Sequence, residues 1–334
     1  MNQYGHNFRI ALWGESHGPQ IGITMDGVPA GLPLSEEDFA ADLARRRSGA
    51  RGTTPRREED RPQIVSGLYE GRTTGAPLTV LFTNGDTRPQ DYAALRDHFR
   101  PSHADRVADL RSGGWNDPHG GGHFSARLTV ALVAAGVVAK KMLPAEVRFR
   151  TRLTEIGGCT DPERFDEVLA DAAAAHDSVG GIVECCAEGV PACLGEPFFD
   201  SAESLIAHLL FAIPAVKGVE FGSGFAAARH RGSENNDPIL DAEGHTATNH
   251  DGGINGGITN GNPLVVRAAL KPTPSIGQPQ KTYNRATGRV EMLEIRGRHD
   301  VCVALRGAVV VEAAVAIALA DLFAGRPAST RTAR

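Results

Sequence analysis

Apolar and polar positions alternate along residues 8–13 and 21–25, which predicts two half-buried strands joined by a polar loop, residues 14–19. A change of period follows. Leu34-Ser35-Glu36-Glu37-Asp38-Phe39 predicts a helix start, with Ser35 as N-cap, Asp38 where a capping-box acid belongs and Leu34 able to staple against Phe39. That helix ends in Arg45-Arg46-Arg47, whose charges suit the negative end of its dipole. Residues 125–143 predict a second helix, apolar almost all round and therefore deep in the fold. A third is predicted over 201–212 and a last over 310–324, with Gly325 as its C-cap. On this reading the longest apolar helical stretch, residues 128–139, falls short of the roughly 18 residues of a membrane span.

One motif occurs twice. Gly27-Val28-Pro29-Ala30-Gly31-Leu32 returns nearly half a chain later as Gly189-Val190-Pro191-Ala192-Cys193-Leu194. In both places a strand-like run precedes it and an acidic-capped helix follows, which predicts an internal pseudo-repeat of two similar sheet-and-helix halves. No linker divides them, so a single domain is expected. The most polar segment, residues 230–251, reads as a long loop leading into glycine-rich chain.

Composition narrows the function. In 334 residues, Lys+Arg 35 against Asp+Glu 40 gives a formal charge of -5, which advertises neither nucleic acid nor an anionic membrane. The first nine residues are polar and lack the apolar core of a signal peptide, so a soluble cytoplasmic protein is expected. Cys159, Cys185, Cys186, Cys193 and Cys302 form no C-x-x-C pair, which fits reduced thiols and argues against zinc or a disulfide framework.

Gly14-Glu15-Ser16-His17-Gly18 fits the G-x-S-x-G elbow of serine hydrolases, and His119-Gly120-Gly121-Gly122 fits their oxyanion loop. Both matches fail on context. An elbow needs a helix directly after its serine, whereas a strand is predicted here, and the oxyanion loop should precede the elbow rather than follow it. A different chemistry is suggested by the arginines Arg45, Arg46, Arg47, Arg51, Arg56, Arg57 and Arg61, relieved only by Glu58-Glu59-Asp60. Guanidinium forks grip phosphate and carboxylate, and without aromatic residues to stack bases the cluster predicts a small anionic ligand. In Arg100-Pro101-Ser102-His103-Ala104-Asp105, Asp105 could orient His103 as an acid-base group. The triple glycine running into a helix predicts an anion seat of backbone N–H groups. His119 and His123 could share a metal, but no third ligand is placed nearby, so no metal is expected. The glycine-dense residues 252–261 and Lys271-Pro272-Thr273-Pro274-Ser275 suggest close backbone approach to a ligand, and Arg296-Gly297-Arg298-His299-Asp300 adds further charge and acid-base capacity.

Taken in order, these stretches, together with Asp26-Gly27-Val28-Pro29 and Ala215-Val216-Lys217-Gly218-Val219-Glu220, resemble chorismate synthase across residues 1–330, with 331–334 a short tail. The resemblance implies an α+β fold, a single-domain β-α-β sandwich with helices between two antiparallel sheets, assembled as a homotetramer. It implies elimination of phosphate from 5-enolpyruvylshikimate 3-phosphate to give chorismate, with reduced FMN as cofactor and either NADPH or a separate flavin reductase as its source of electrons. Carried across by motif, His17 protonates the departing phosphate, His103 lies near the flavin N1 and Asp300 assists proton removal through the flavin N5. FMN contacts fall on His123, Phe124, Ser125, Ala215, Gly256, Lys271, Pro272, Thr273, Pro274, Ser275 and Arg298. Arg46 and Arg51 fall on positions for the substrate phosphate or NADPH, and Ser16, Arg47 and Arg127 on the substrate. The sequence departs from the family's usual residues at His123, Phe124 and Leu128, and Ser102 replaces a glycine where a positive φ is expected. The alternatives are a noncatalytic flavin- or phosphate-binding protein, which would survive loss of His17 or His103, and a serine esterase, which a fluorophosphonate would label at Ser16.

Overall fold

The computed structural model describes residues 1–54, 56, 58–86, 95–295 and 299–326. The fold is α+β. Its strands are β1 (Gln3–Tyr4), β2 (Arg9–Gly14), β3 (Gln20–Asp26), β4 (Gln63–Ser66), β5 (Leu68–Tyr69), β6 (Arg72–Thr73), β7 (Leu78–Thr83), β8 (Arg148–Ile156), β9 (Gly181–Glu188), β10 (Val216–Phe221), β11 (Ile254–Asn255), β12 (Ile258–Thr259), β13 (Leu264–Leu270), β14 (Gln280–Asn284) and β15 (Arg289–Leu293). Its helices are α1 (Ala40–Arg46), α2 (Asp105–Ser112), α3 (Thr129–Met142), α4 (Phe165–Ala174), α5 (Ala202–Ala212), α6 (Gly232–Asn235) and α7 (Ala304–Ala324).

Two antiparallel sheets dominate, ordered β1-β2-β3-β7-β4 and β10-β13-β9-β8. Strands β9 and β13 bury every second residue, the pattern of a sheet with one face on a core. Helix α3 packs on β2, β3 and β7, α7 packs on β8, β9 and β13, and the two helices lie against each other. At their contact a Cβ on Gly136 would overlap Ala313, so the missing side chain sets how closely the backbones approach.

The two copies of the Gly-Val-Pro-Ala motif make matching hydrogen bonds. Thr73 Oγ1 donates to Pro29 O at 2.6 Å and accepts from Leu32 N at 3.0 Å, while Thr259 Oγ1 donates to Pro191 O at 2.7 Å and accepts from Leu194 N at 2.9 Å. Both glycines that open the motif, Gly27 and Gly189, have positive φ.

Three expectations about helices change. The final helix begins at Ala304, not 310, and α7 is long and apolar enough to cross a membrane by length and composition, so 128–139 is not the longest such stretch. It is buried along almost its whole length between its neighbours, as a core helix is. Gly325 does cap it, its N–H donating to Asp321 O, in the right-handed region at φ −77°. Helix α3 starts at Thr129 because Ser125 accepts from Arg127 N and opens a separate 3-10 turn first.

Candidate active site

The segment after α1 and the segment before α3 meet over a small cavity of about 150 Å³ lined by Arg46, Arg47, Arg56, Arg100, Arg127 and Arg306 against Glu58, Asp60 and Asp300. Positive charge exceeds negative, so the cavity favours a multiply charged anion. The acids hold the forks in place. Asp60, buried and at φ 49°, receives Arg46 Nη1 at 3.1 Å on one oxygen and Arg127 on the other. A non-glycine residue in that conformation stores backbone strain, which this double ion pair offsets. Arg46 further donates to Thr129 Oγ1, Ala126 O and Arg127 O, so most of its donors serve the protein. Burial brings its pKa down to about 9 against the pull of Asp60, which leaves the guanidinium charged near pH 7. Arg56 reaches Ser16 Oγ and Ser16 O, both at 3.2 Å, and Glu58 at 2.6 Å.

A larger cavity of about 710 Å³ adjoins it, sharing Gly120, Ser125, Ala126, Thr273 and Asp300 as common wall. His103 lines the larger cavity, and His17 lies against Gly120 of the common wall. Arg100 clamps Asp105 with Nε at 2.8 Å and Nη2 at 2.7 Å, and Asp105 in turn meets His103 Nδ1 at 2.6 Å. Burial opposes the charge on Asp105, yet Arg100 and His103 hold it well below the usual carboxylate range. Burial lowers His103, Arg100 and Lys271 add to this, and Asp105 opposes it. Burial and Arg56 likewise lower His17, against Asp117 and Glu58. Both imidazoles are therefore biased to the neutral form until an anion arrives to raise them.

The triple glycine explains the fit. Gly120, Gly121 and Gly122 all take positive φ in a tight turn, and the chain enters the helix only after the 3-10 turn that Ser125 opens. A Cβ on Gly120 would overlap the His17 ring, and one on Gly121 would lie 3.1 Å from His103 Cε1. The turn is thus a bare floor on which both imidazoles rest. Ser16 is followed by a loop and β3, not a helix, and its hydroxyl accepts from Arg56, which disposes of the hydrolase elbow.

The Chorismate synthase family pattern matches residues 8–324. A chorismate synthase from Chitinophaga pinensis is 58% identical, over 97% of this chain and 96% of its own. The chain belongs to the chorismate synthase family. Another chorismate synthase, from Opitutus terrae, is 45% identical over 96% of both chains, and a crystal structure of chorismate synthase superposes with a TM-score of 0.72 at 28% identity, covering 96% of this chain and 92% of that one. Membership makes the chain a lyase of the shikimate pathway, in aromatic biosynthesis.

Within this chorismate synthase fold, His103, His123, Phe124, Ser125, Ala215, Lys271, Thr273, Pro274, Ser275 and Asp300 all line the larger cavity. Ser16, Arg46, Arg47 and Arg127 line the smaller one. Ser102 does adopt the left-handed conformation, φ 57°, and Lys271 Nζ donates to its carbonyl at 2.6 Å. His123 Nδ1 donates to Gly14 O at 2.8 Å while His119 pairs with Asp117, so the two are engaged by different partners. Four residues fall elsewhere, among them His17, which lines neither cavity and lies against Gly120. Gly256 sits in the β11–β12 turn, whose neighbour Gly257 packs on Ser201, and Pro272 turns its ring to Gly180. Arg51 is exposed and faces Asp166 at 3.8 Å, outside both cavities. Arg298 lies outside the described residues.

The sequence reading passed over Asp60 as an anchor and missed Arg306 altogether. Arg306 donates to both oxygens of Asp300, at 3.0 and 2.6 Å, and Thr54 N donates to Asp300 Oδ1 at 2.9 Å. Its one signal was a positive charge in the first turn of a largely apolar helix.

Proposed function

We propose that the two adjoining cavities carry out the 1,4-elimination of phosphate from 5-enolpyruvylshikimate 3-phosphate, with the smaller holding the substrate's anionic groups and the larger its cofactor. The observation that carries this is the joint: six arginines on one side, His17 against Gly120 of the shared wall, and beyond it an apolar-and-polar cavity lined by His103 and large enough for a ring system. Thr273 Oγ1, shielded and with no partner among the described residues, lies in that same wall and fits a bound ligand.

The residues around the larger cavity fit FMN, with His103, His123, Ser125, Lys271 and Ser275 supplying polar contacts and Phe124 and Ala215 the flat walls. Reduced FMN, when bound, supplies an electron-rich ring that supports loss of the allylic phosphate. His17 is raised by the phosphate it meets and gives that group a proton as it leaves. His103, held by Asp105, presents its other nitrogen to the cofactor edge. Arg46, Arg127 and Arg306 neutralise charge that moves onto the departing oxygen. A separate reductase is the expected source of reduced flavin, with NADPH as ultimate donor. A cytoplasmic homotetramer is the expected state, each subunit a layered β-α-β sandwich of two related halves, a reading supported by the α3–α7 contact and the matching Thr73 and Thr259 bonds.

Anaerobic assay of phosphate release from 5-enolpyruvylshikimate 3-phosphate tests the reading. Release matched by chorismate with dithionite-reduced FMN, and none with oxidised FMN, is expected. Folded protein that binds FMN and releases nothing in either case would be a noncatalytic flavin protein instead.

A further inference from the structure

The six arginines of the smaller cavity differ in how many donors they have to spare. Arg46, Arg56 and Arg100 each commit all three guanidinium nitrogens to protein acceptors. Arg306, in the first turn of α7, does not. Its Nε and Nη2 grip the two oxygens of Asp300, at 3.0 and 2.6 Å, from one edge of the fork, and its Nη1 has no hydrogen-bond partner among the described residues. A guanidinium spreads its N–H donors over more than one edge of a plane, so the pair with Asp300 leaves Nη1 and the far hydrogen of Nη2 as a second fork, spaced for a carboxylate or a phosphate. Arg306 lines the smaller cavity, whereas Asp300 stands in the wall common to both.

We propose that Arg306 works with both edges: the inner one holds Asp300, and the outer one takes an oxyanion of the substrate, so that filling the smaller cavity fixes Asp300 at the wall of the larger. This deepens the elimination proposed above and rests on it. Arg306 is then a substrate-binding residue and, through Asp300, a positioning residue for the step in which the ring proton is lost.

The backbone beside Asp300 is already tied down. Thr54 N donates to its Oδ1 at 2.9 Å, and Gly52 O accepts from Val301 N at 2.9 Å and from Cys302 N at 3.2 Å. What remains adjustable is the half-buried Arg306 side chain that aims the carboxylate. Arg46, Arg47 and Arg127 line the same cavity, and their like charges push the Arg306 guanidinium outward until an anion enters among them. An anion held between these forks draws Arg306 into one place, and Asp300 follows it. A lysine here would carry the charge without the plane, since one ammonium cannot hold both oxygens of Asp300 and meet a second anion in fixed geometry.

Calorimetry of 5-enolpyruvylshikimate 3-phosphate binding to the flavin-free protein, alongside kinetics with reduced FMN, tests this. Arg306→Gln is expected to weaken binding by about 10- to 100-fold, as loss of a charge-assisted pair does, and to lower kcat by about 10²-fold. Arg306→Lys is expected to recover most of the binding and little of kcat, a split that a merely structural arginine would not give. Asp300→Asn, alone and combined with Arg306→Gln, closes a double-mutant cycle in which the joint loss of kcat is expected to fall well short of the product of the single losses. Unchanged binding in Arg306→Gln, or losses of kcat that simply multiply, would overturn the proposal. If Arg306→Gln does not fold, Arg306→Lys decides, and wild-type kcat in that variant would overturn it. A wild type that binds substrate, loses that binding in Arg306→Gln and releases no phosphate would refute the elimination rather than the contact made by Arg306.

Discussion

Gly120 carries the site's tightest constraint. Its φ of 62° and the His17 ring lying against its α-carbon leave no space for a methyl group. Gly120→Ala is expected to displace His17 and lower kcat by about 10²-fold, a loss typical of a misplaced acid-base group. His17→Ala should cost a comparable factor while substrate still binds, since the arginines hold the anion independently. Steady-state kinetics with reduced FMN, alongside calorimetry of substrate binding to the flavin-free variants, separates the two effects. Equal loss of binding in His17→Ala would remove its role as phosphate acid. At this scale the sequence marked His17 and His103 as candidates, because Ser16-His17 and Ser102-His103 sit in polar settings near arginines. It was silent about Asp60, whose weight depends on two guanidinium groups that arrive from distant segments, Arg46 and Arg127.

Helix α7 shows what an element can do with three polar residues in an apolar sequence. Arg306 fixes Asp300, Glu312 receives Arg45 and Lys140, and Asp321 accepts from the backbone N–H groups of His6, Asn7 and Phe8. Each polar side chain joins a different part of the chain to the core. Burial works against the Glu312 charge, but Arg45 and Lys140 bring its pKa down to about 2. The stabilisation it contributes is therefore complete above the unfolded value, roughly 4.5, and is lost as pH falls from there toward 2. Glu312→Gln is expected to cost about 1–3 kcal/mol at pH 7, since it strips one partner from two cations that still reach water. Urea denaturation should show the gap from wild type closing below pH 4.5, and a gap constant down to pH 3 would assign the effect to packing instead. Asp321→Ala leaves three amides at the N-terminal segment without their acceptor, and is expected to expose that segment to proteolysis before the core unfolds.

At the scale of the whole molecule, stability depends on two sheets being joined through α3 and α7. Gly136→Val forces the two helices apart at Ala313 and is expected to destabilise by about 1–3 kcal/mol through overpacking, seen as a lower midpoint in urea. Thr73→Val and Thr259→Val each remove the same pair of hydrogen bonds, one in each half. Similar losses of about 1–2 kcal/mol from the two would mark equivalent roles, and a loss confined to one would mark the motifs as only alike in sequence.

The sequence by itself determined the strand that follows Ser16, the buried character of α3, the Ser201 start of α5 and the family. These follow from local periodicity, capping chemistry and ordered motifs, which the chain carries wherever it folds. Only the tertiary structure decided that α7 is a core helix, that Gly120 is a floor for His17, that Asp300 pairs with Arg306 and that His299 lines the smaller cavity. Those outcomes depend on which distant groups meet. Burial and pairing are properties of a packed environment, and no local pattern can specify whether a charge will find its partner.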